Sequence, residues 1–486
     1  MTKAIMIQGA GSNVGKSLMV AGLCRHFANQ GLRVAPFKPQ NMSNNAAVTV
    51  DGGEIGRAQA LQARASRIEP SLHMNPVLLK PETDTGAQVI VQGSRFATLA
   101  ARDFSKQKHK LMPRILESFA RVCEHADLVI VEGAGSPAEI NLRAGDLANM
   151  GFAAAADLPV VLVGDIDRGG VIAQLVGTHR VLTDQDRDRI KAFIVNKFRG
   201  DVTLFSEGAR AIAEMTGWQD LGTLPWFADA WRLPAEDIMD IRSSKGGAVK
   251  IAVPRLNRIA NFDDLDPLSA EPGVSVEIVE PGRALPGDAA LVLIPGSKST
   301  MSDLAGFAAN GWHIDLAAHV RRGGRVLGVC GGYQMLGKKI HDPLGIEGPA
   351  QSVDGLGLLD VETTMGPKKE LKLVEMFDPS SNATVTGYEI HIGQTVGPDC
   401  ANGWLKSGNE SHGAASANGQ IRGCYLHGLF ASDDFRAHYL STLGAQATNS
   451  QYEENVDATL DGLAAHIDES LDTDVLLQIA GKVALT

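Results

Sequence analysis

The chain has 486 residues, 44% apolar and 21% charged, with a formal net charge of −11 and five cysteines. At roughly 100–200 residues per domain this predicts two to four domains, each with enough apolar residues for a core. The acidic balance without a Lys/Arg block argues against a nucleic-acid partner, an odd cysteine count without CxxC spacing argues against a disulfide framework or zinc site, and no apolar run reaches the ~18 residues that span a bilayer.

The opening "MTKAIMIQG" has no signal-peptide layout, so a soluble cytoplasmic protein is expected. Its apolar run 3–9 predicts a strand, and helix-like patterning covers 16–29. Between them lies "GAGSNVGKS" (9–17), a glycine-rich turn between strand and helix. Such a turn presents backbone N–H groups at the positive helix end and suits phosphate oxygens. Lys16 can reach β/γ-phosphates and the Ser17 hydroxyl can take Mg²⁺, while Gly9, Gly11 and Gly15 shape the loop. The usual G-x4-G-K-[ST] spacing is offset here: Ala10 holds the first glycine's place.

A strand is expected over 33–39. It is followed by "FKPQNMSNNAAVTVDGGEIGRAQALQARA" (37–65), read as a long polar loop with Asn41, Asn44 and Asn45, running into a helix over 56–68. Asp51 and Glu54 in that loop are candidate metal ligands. A helix over 104–124 leads to strand 127–133, at whose C-terminal end Glu132 can act on Mg²⁺ or its waters. Strand 159–165 brings Asp165 and Asp167 to the next such edge, where metal, substrate or no ligand at all fits equally. Strand 190–197 carries Asn196, a candidate for an adenine edge. Fully apolar strands alternating with helices predict a parallel, doubly wound sheet. "LGTLPW" (221–226) closes this domain, expected over residues 1–230, and the polar stretch 231–249 reads as a linker.

A second α/β series follows over 250–486. Strands are expected at 251–256, 275–280, 290–297 and 325–332, and an acidic helical segment after 440 is assigned to this second domain. "VLGVCGGYQMLG" (326–337) puts Cys330 on a sharp strand-to-helix turn, the form of a nucleophile elbow. The N–H of Gly331 and a donor near Gly296 in "PGSKST" are candidate oxyanion donors. His427 in "GCYLHGLF" (423–430) is the candidate base.

These residues resemble two known groups. The offset phosphate loop is similar to that of dethiobiotin synthetase and related ATP-dependent amide-forming enzymes. Cys330 and His427 resemble the class I glutamine amidotransferase domain. That domain has a Glu two residues after its His, where this chain has Leu429; Glu389 in "TGYEIHIGQT" is an alternative to orient the ring. The combination, with "FKPQNMSNN", "EGAGSPAEINL", "GDIDRGG" and "VNKFRGD", resembles the cobyric acid synthase family over residues 8–430. The resemblance implies two doubly wound domains, a P-loop NTPase-like one and an amidotransferase-like one. It implies ATP and Mg²⁺ as cofactors, glutamine as nitrogen donor, and a corrinoid acceptor, adenosylcobyrinic acid a,c-diamide. Four of its carboxylates would be amidated through acyl phosphates, with no nucleic acid and no membrane involved. Three other readings stay open: the a,c-diamide synthase, a partitioning-type P-loop switch ATPase, and a cysteine hydrolase of the amidotransferase fold.

Overall fold

A computed structural model describes residues 2–81, 86–234, 243–244, 246–446, 448 and 450–483. Its contacts divide the chain into two units. The first holds Met1–Ser43, Thr49–Pro234 and Val456–Thr486; the second holds Asn44–Val48 and Ala235–Asn455. Of the expected linker 231–249, residues 235–242 and 245 lie outside the described residues.

The first unit is built on a sheet in the order Gln219–Pro225, Ile190–Phe198, Val160–Asp165, Lys3–Gly9, Leu128–Glu132, Val34–Phe37. All these pairings are parallel. The strands are apolar along their length because helices cover both faces, as expected for a doubly wound sheet. Order reverses around Lys3–Gly9, and strand ends beside that reversal are where open α/β sheets bind ligands. Gly9 and Glu132 both lie at such ends. The expected loop 37–65 is largely ordered and buried instead. Lys38, Asn41 and Asn45 are buried, Gln40–Met42 forms a strand, and Arg57–Ala65 is a helix. A polar stretch suggests solvation, but here protein partners meet the polar groups.

The C-terminal segment departs from expectation. Residues from Val456 belong to the first unit, not to the amidotransferase-like one. Gly481–Lys482 pairs antiparallel with Lys3–Ala4 at the edge of the central strand. Helix Tyr452–Ser470 packs on helix Lys16–Asn29 so closely that a Cβ on Gly22 would stand 2.4 Å from Ile467 Cδ1. Asp457 accepts from the buried Arg25 and from Arg64 Nη2 at 2.8 Å.

The second unit has a six-stranded sheet, ordered Val274–Val279, Val249–Pro254, Leu291–Ile294, Arg325–Val329, Ile421–Cys424, Ala414–Ala415. Only the last pairing is antiparallel. A long hairpin, Glu362–Asp378 with Ala383–Val396, forms a further sheet and pairs with the two-residue strand Leu426–His427. Among the described residues no helix is long and apolar enough to cross a membrane.

Candidate active sites

In the first unit the chain leaves strand Lys3–Gly9, turns through residues 10–15 and enters helix Lys16–Asn29 with Gly15 at φ 92°. Two of the three loop glycines are sterically required. A Cβ on Gly9 would stand 2.8 Å from Lys16 Nζ, and one on Gly15 2.5 Å from Asn196 Nδ2; around Gly11 there is room. Lys16 Nζ donates to the carbonyls of Gly11 and Gly135, each at 3.3 Å, which arches the ammonium over the loop. Asn196 donates to Val14 O at 2.8 Å, so its amide braces the loop from below. The amide expected to meet an adenine edge is thus engaged with the loop itself.

Glu132 is the centre of the cluster. It accepts from Ser17 Oγ at 2.7 Å, Lys38 Nζ at 2.7 Å, Gln62 Nε2 at 2.6 Å and Gln59 Nε2 at 3.2 Å. It is 1% exposed. Burial pushes its carboxyl up, but the Lys38 charge and the hydrogen bonds of Lys38, Gln62 and Ser17 outweigh that and hold it below its ordinary range. A hydroxyl beside an ionised carboxylate is a hard-oxygen pair of the kind Mg²⁺ takes, since that ion keeps waters and draws remaining ligands from phosphates.

The other expected metal ligands also have protein partners. Asp51 accepts from Ser71 Oγ at 2.8 Å and from Leu72 N, and so caps the short helix Leu72–Met74. Glu54 is buried in an ion pair with Lys80. Asp165 takes Lys197 at 2.9 Å, and Asp167 takes Arg199 at 2.6 Å. Sequence reasoning missed Lys38, Gln59 and Gln62. For Lys38 a signal existed, its place at the end of strand Val34–Phe37 beside the Glu132 strand; the glutamines had none.

In the second unit, strand Arg325–Val329 ends at Cys330, whose φ of 53° and ψ of −110° are far from ordinary for a residue with a Cβ. Helix Gly331–Leu336 starts at once. The corner requires glycine: a Cβ on Gly332 would stand 2.0 Å from Ile294 O, and one on Gly328 2.6 Å from Gly332 O. The Cys330 sulfur lies 3.4 Å from Ile390 O. Gly331 and Gly296 border the same place. A Cβ on Gly331 would be 2.8 Å from Ser297 N, and one on Gly296 3.2 Å from His427 Cε1.

His427 is fully buried. Its Nδ1 donates to Asp264 Oδ2 at 2.7 Å, and Asp264 Oδ1 accepts from Gly428 N at 2.6 Å. Nε2 makes no complete hydrogen bond, yet the Cys330 thiol acts on the ring electrostatically. Burial pushes the imidazole down; the charge and hydrogen bond of Asp264, reinforced by Cys330, outweigh it and raise the ring to about 10. Such a ring holds its proton beside the sulfur.

Glu389 does not orient His427. Strand pairing sets Tyr388 opposite His427, so Glu389 projects from the other face and takes Lys372 at 2.9 Å. Leu429 is a buried apolar residue, 1% exposed. Asp264 was missed because it lies 163 residues before His427, in a stretch ("ANFDDLDPL") without motif or period.

Comparison with known proteins covers both units. A family described as CobQ/CobB/MinD/ParA nucleotide binding domain matches residues 5–241, and one described as CobB/CobQ-like glutamine amidotransferase domain matches residues 250–435. The chain is 63% identical over 478 residues to the cobyric acid synthase of Ruegeria sp. (strain TM1040), covering 98% of this chain and 99% of that one. It is 61% identical to that of Rhodobacter capsulatus and 60% identical to that of Paracoccus denitrificans (strain Pd 1222), with the same coverage of each chain.

Proposed function

The chain belongs to the cobyric acid synthase family, and from that premise we propose that it amidates the b, d, e and g carboxylates of adenosylcobyrinic acid a,c-diamide, using ATP and glutamine, to give adenosylcobyric acid. The observation that carries this reading is one chain holding both halves of the chemistry: Lys16 over the glycine-rich loop with Ser17 and Lys38 on Glu132, and Cys330 beside an acid-backed His427. A carboxylate is a poor acyl donor because oxide is a poor leaving group. Phosphoryl transfer from ATP would make it an acyl phosphate, which ammonia then displaces. Lys16 and Lys38 bring positive charge to the transferring group, and the backbone of Gly9, Gly11 and Gly15 cradles the phosphates. Ser17 and Glu132 would hold Mg²⁺, which supplies charge neutralisation at the phosphate oxygens when bound. Asp51 and Glu54 are further carboxylates proposed for the metal, with Ser71 and Lys80 as their partners here.

Free ammonia is largely protonated near neutral pH, so nitrogen is released from glutamine on site. The Cys330 thiolate attacks the γ-carbonyl, and the N–H groups of Gly331 and Gly296 are assigned to the oxyanion. The His427 imidazolium gives its proton to the departing amide nitrogen, which leaves as ammonia. The now neutral ring takes a proton from water, the hydroxide displaces the Cys330 thiolate from the thioester to give glutamate, whose carboxyl proton goes to solvent, and the thiolate–imidazolium pair is restored. This is a cytoplasmic biosynthetic role without nucleic acid or membrane.

The test is product mass after incubation with ATP, Mg²⁺ and the a,c-diamide acceptor, with glutamine or with ammonium. Four added amides are expected from either nitrogen source. Amidation of cobyrinic acid but not of its a,c-diamide would instead assign the a,c-diamide synthase activity, and ATP turnover without any corrinoid product would overturn the reading.

A further inference from the structure

An imidazole can serve Cys330 through Nε2 only if its other nitrogen is held in one protonation state. In the amidotransferases that the second unit resembles, a Glu two residues after the His does this. Here that position is Leu429, which is buried and has no group to offer. Glu389 is turned to Lys372. The acid that does meet the ring comes from before Cys330 in the chain. Asp264, itself buried, uses both oxygens: Oδ2 takes Nδ1 of His427 at 2.7 Å, and Oδ1 takes the N–H of Gly428 at 2.6 Å.

The segment bearing Asp264 is built to keep it there. Phe262–Leu265 is one short helical turn, entered through Asn261 at φ 53° and ψ 48°, an uncommon conformation for a residue other than glycine. Asn261 Nδ2 donates to the Tyr388 hydroxyl at 2.9 Å, and that hydroxyl donates to Asp263 at 3.1 Å. The Tyr388 ring lies against His427, centroids 5.1 Å apart and planes 14° from parallel. The imidazole is therefore held on its edge by Asp264 and on its face by Tyr388, and both holds lead back to the same turn. The neighbouring Ala260 N donates to Gly296 O at 3.0 Å, which ties the turn to a glycine of the cysteine site as well.

We propose that Asp264 is the positioning residue of the glutamine-hydrolysing site, an acid supplied from a distant turn in the role that related enzymes give to Glu. The proposal rests on the Cys330–His427 reading above and deepens it. The carboxylate keeps the proton on Nδ1 and leaves Nε2 for Cys330. An amide at 264 would turn an N–H toward Nδ1, shift the ring proton to Nε2 and remove the base from the sulfur. Charged or titratable groups around the ring are Asp264 on the turn, Cys330 on the elbow, and Tyr388 and His391 on the hairpin, with Asp263 behind the Tyr388 hydroxyl.

The experiment compares the full-length protein with its Asp264→Asn variant in two readouts. The first is glutamate release from glutamine, expected to fall about 10³–10⁴-fold, as for loss of the equivalent acid in hydrolytic triads. A urea midpoint of the second unit matching the parent's reports that the variant is folded, and ammonium-driven amidation reports that the first unit is intact. The second is the pH profile of Cys330 alkylation by iodoacetamide, read on the Cys330 peptide. The parent should label at least about tenfold faster than the variant at pH 7. The variant should follow an ordinary thiol, with its rate rising through about pH 8.5. Alkylation needs no glutamine turnover, so it tests Asp264 even if the parent releases no glutamate, which would count against the Cys330–His427 reading instead. Should Asp264→Asn not fold, Asp264→Glu keeps the charge and should label like the parent. Glutamate release within threefold of the parent, an Asp264→Asn profile matching the parent's, or an Asp264→Glu profile of an ordinary thiol would overturn the proposal.

Discussion

Cys330 combines a left-handed backbone with a position beside a protonated imidazole. Such a conformation persists only where the surroundings enforce it, and here glycines at 328 and 332 let two backbones approach closely enough to do so. Cys330→Ser changes little volume but removes the thiolate. Amidation with glutamine should fall by at least about a hundredfold while amidation with ammonium at elevated pH persists; loss of both in a folded variant would assign the cysteine another task. Glu132→Gln removes the charge that Lys38 and Ser17 face. It should raise the Mg²⁺ concentration for half-maximal ATP-dependent amidation about tenfold or more, read by titration, with glutamate release unaffected. His427 also sets a stability trend. Its folded value, about 10, lies above the ordinary 6.5, so its contribution is fully present below about pH 6.5. From there upward the unfolded chain gives up the proton that the folded ring keeps, so stability should decline as pH rises through about 10. Melting temperature against pH checks the slope, and Asp264→Asn should flatten it.

At the scale of elements, the two sites use the same device. A parallel strand ends, the chain turns on glycine, and a helix begins: Lys3–Gly9 into Lys16–Asn29, and Arg325–Val329 into Gly331–Leu336. The first turn runs through residues 10–15, while the second leaves no residue between strand and helix other than Cys330. Gly332→Ala tests how tight that second turn is. Its Cβ would meet backbone atoms, Ile294 O and Pro295 O, that cannot rotate away. A loss of about 1–3 kcal/mol or more is expected, read as a lower urea midpoint for the second unit. The same change at Gly31, with nothing near its Cβ, meets no clash; its φ of 89° leaves only the backbone cost of about 1–2 kcal/mol.

At the scale of the whole molecule, the chain's last described helices return to the first unit. Ile467 is fully buried and touches the space over Gly22 on the phosphate-loop helix. Ile467→Asp should therefore depress ammonium-driven amidation and lower the first unit's melting temperature, while glutamate release stays at the parent's rate. If that helix served the second unit, as its position in the sequence suggested, the two activities would respond the other way round.

Much of this was legible in the sequence. Apolar runs marked the strands of both parallel sheets, because a strand buried on both faces has no polar alternation to hide it. Glycine beside Lys16 and Ser17, and glycine beside Cys330, marked the two turns, because a tight turn at a fixed offset is a local property. Glu132 and His427 were singled out from their places at strand ends. The polar loop after Phe37, the hairpin 362–396, the return of the C-terminal helices and the acid behind His427 were not legible. All but the hairpin, whose strands are neighbours in the chain, depend on contacts between distant segments: Lys38 meets Glu132, Asp264 meets His427, and Gly481 meets Ala4. Residue type and spacing determine which local turns can form and which chemistry they can hold. Only the tertiary structure decides which carboxylate stands behind a histidine, because a hydrogen bond depends on distance in space and leaves no period in the sequence.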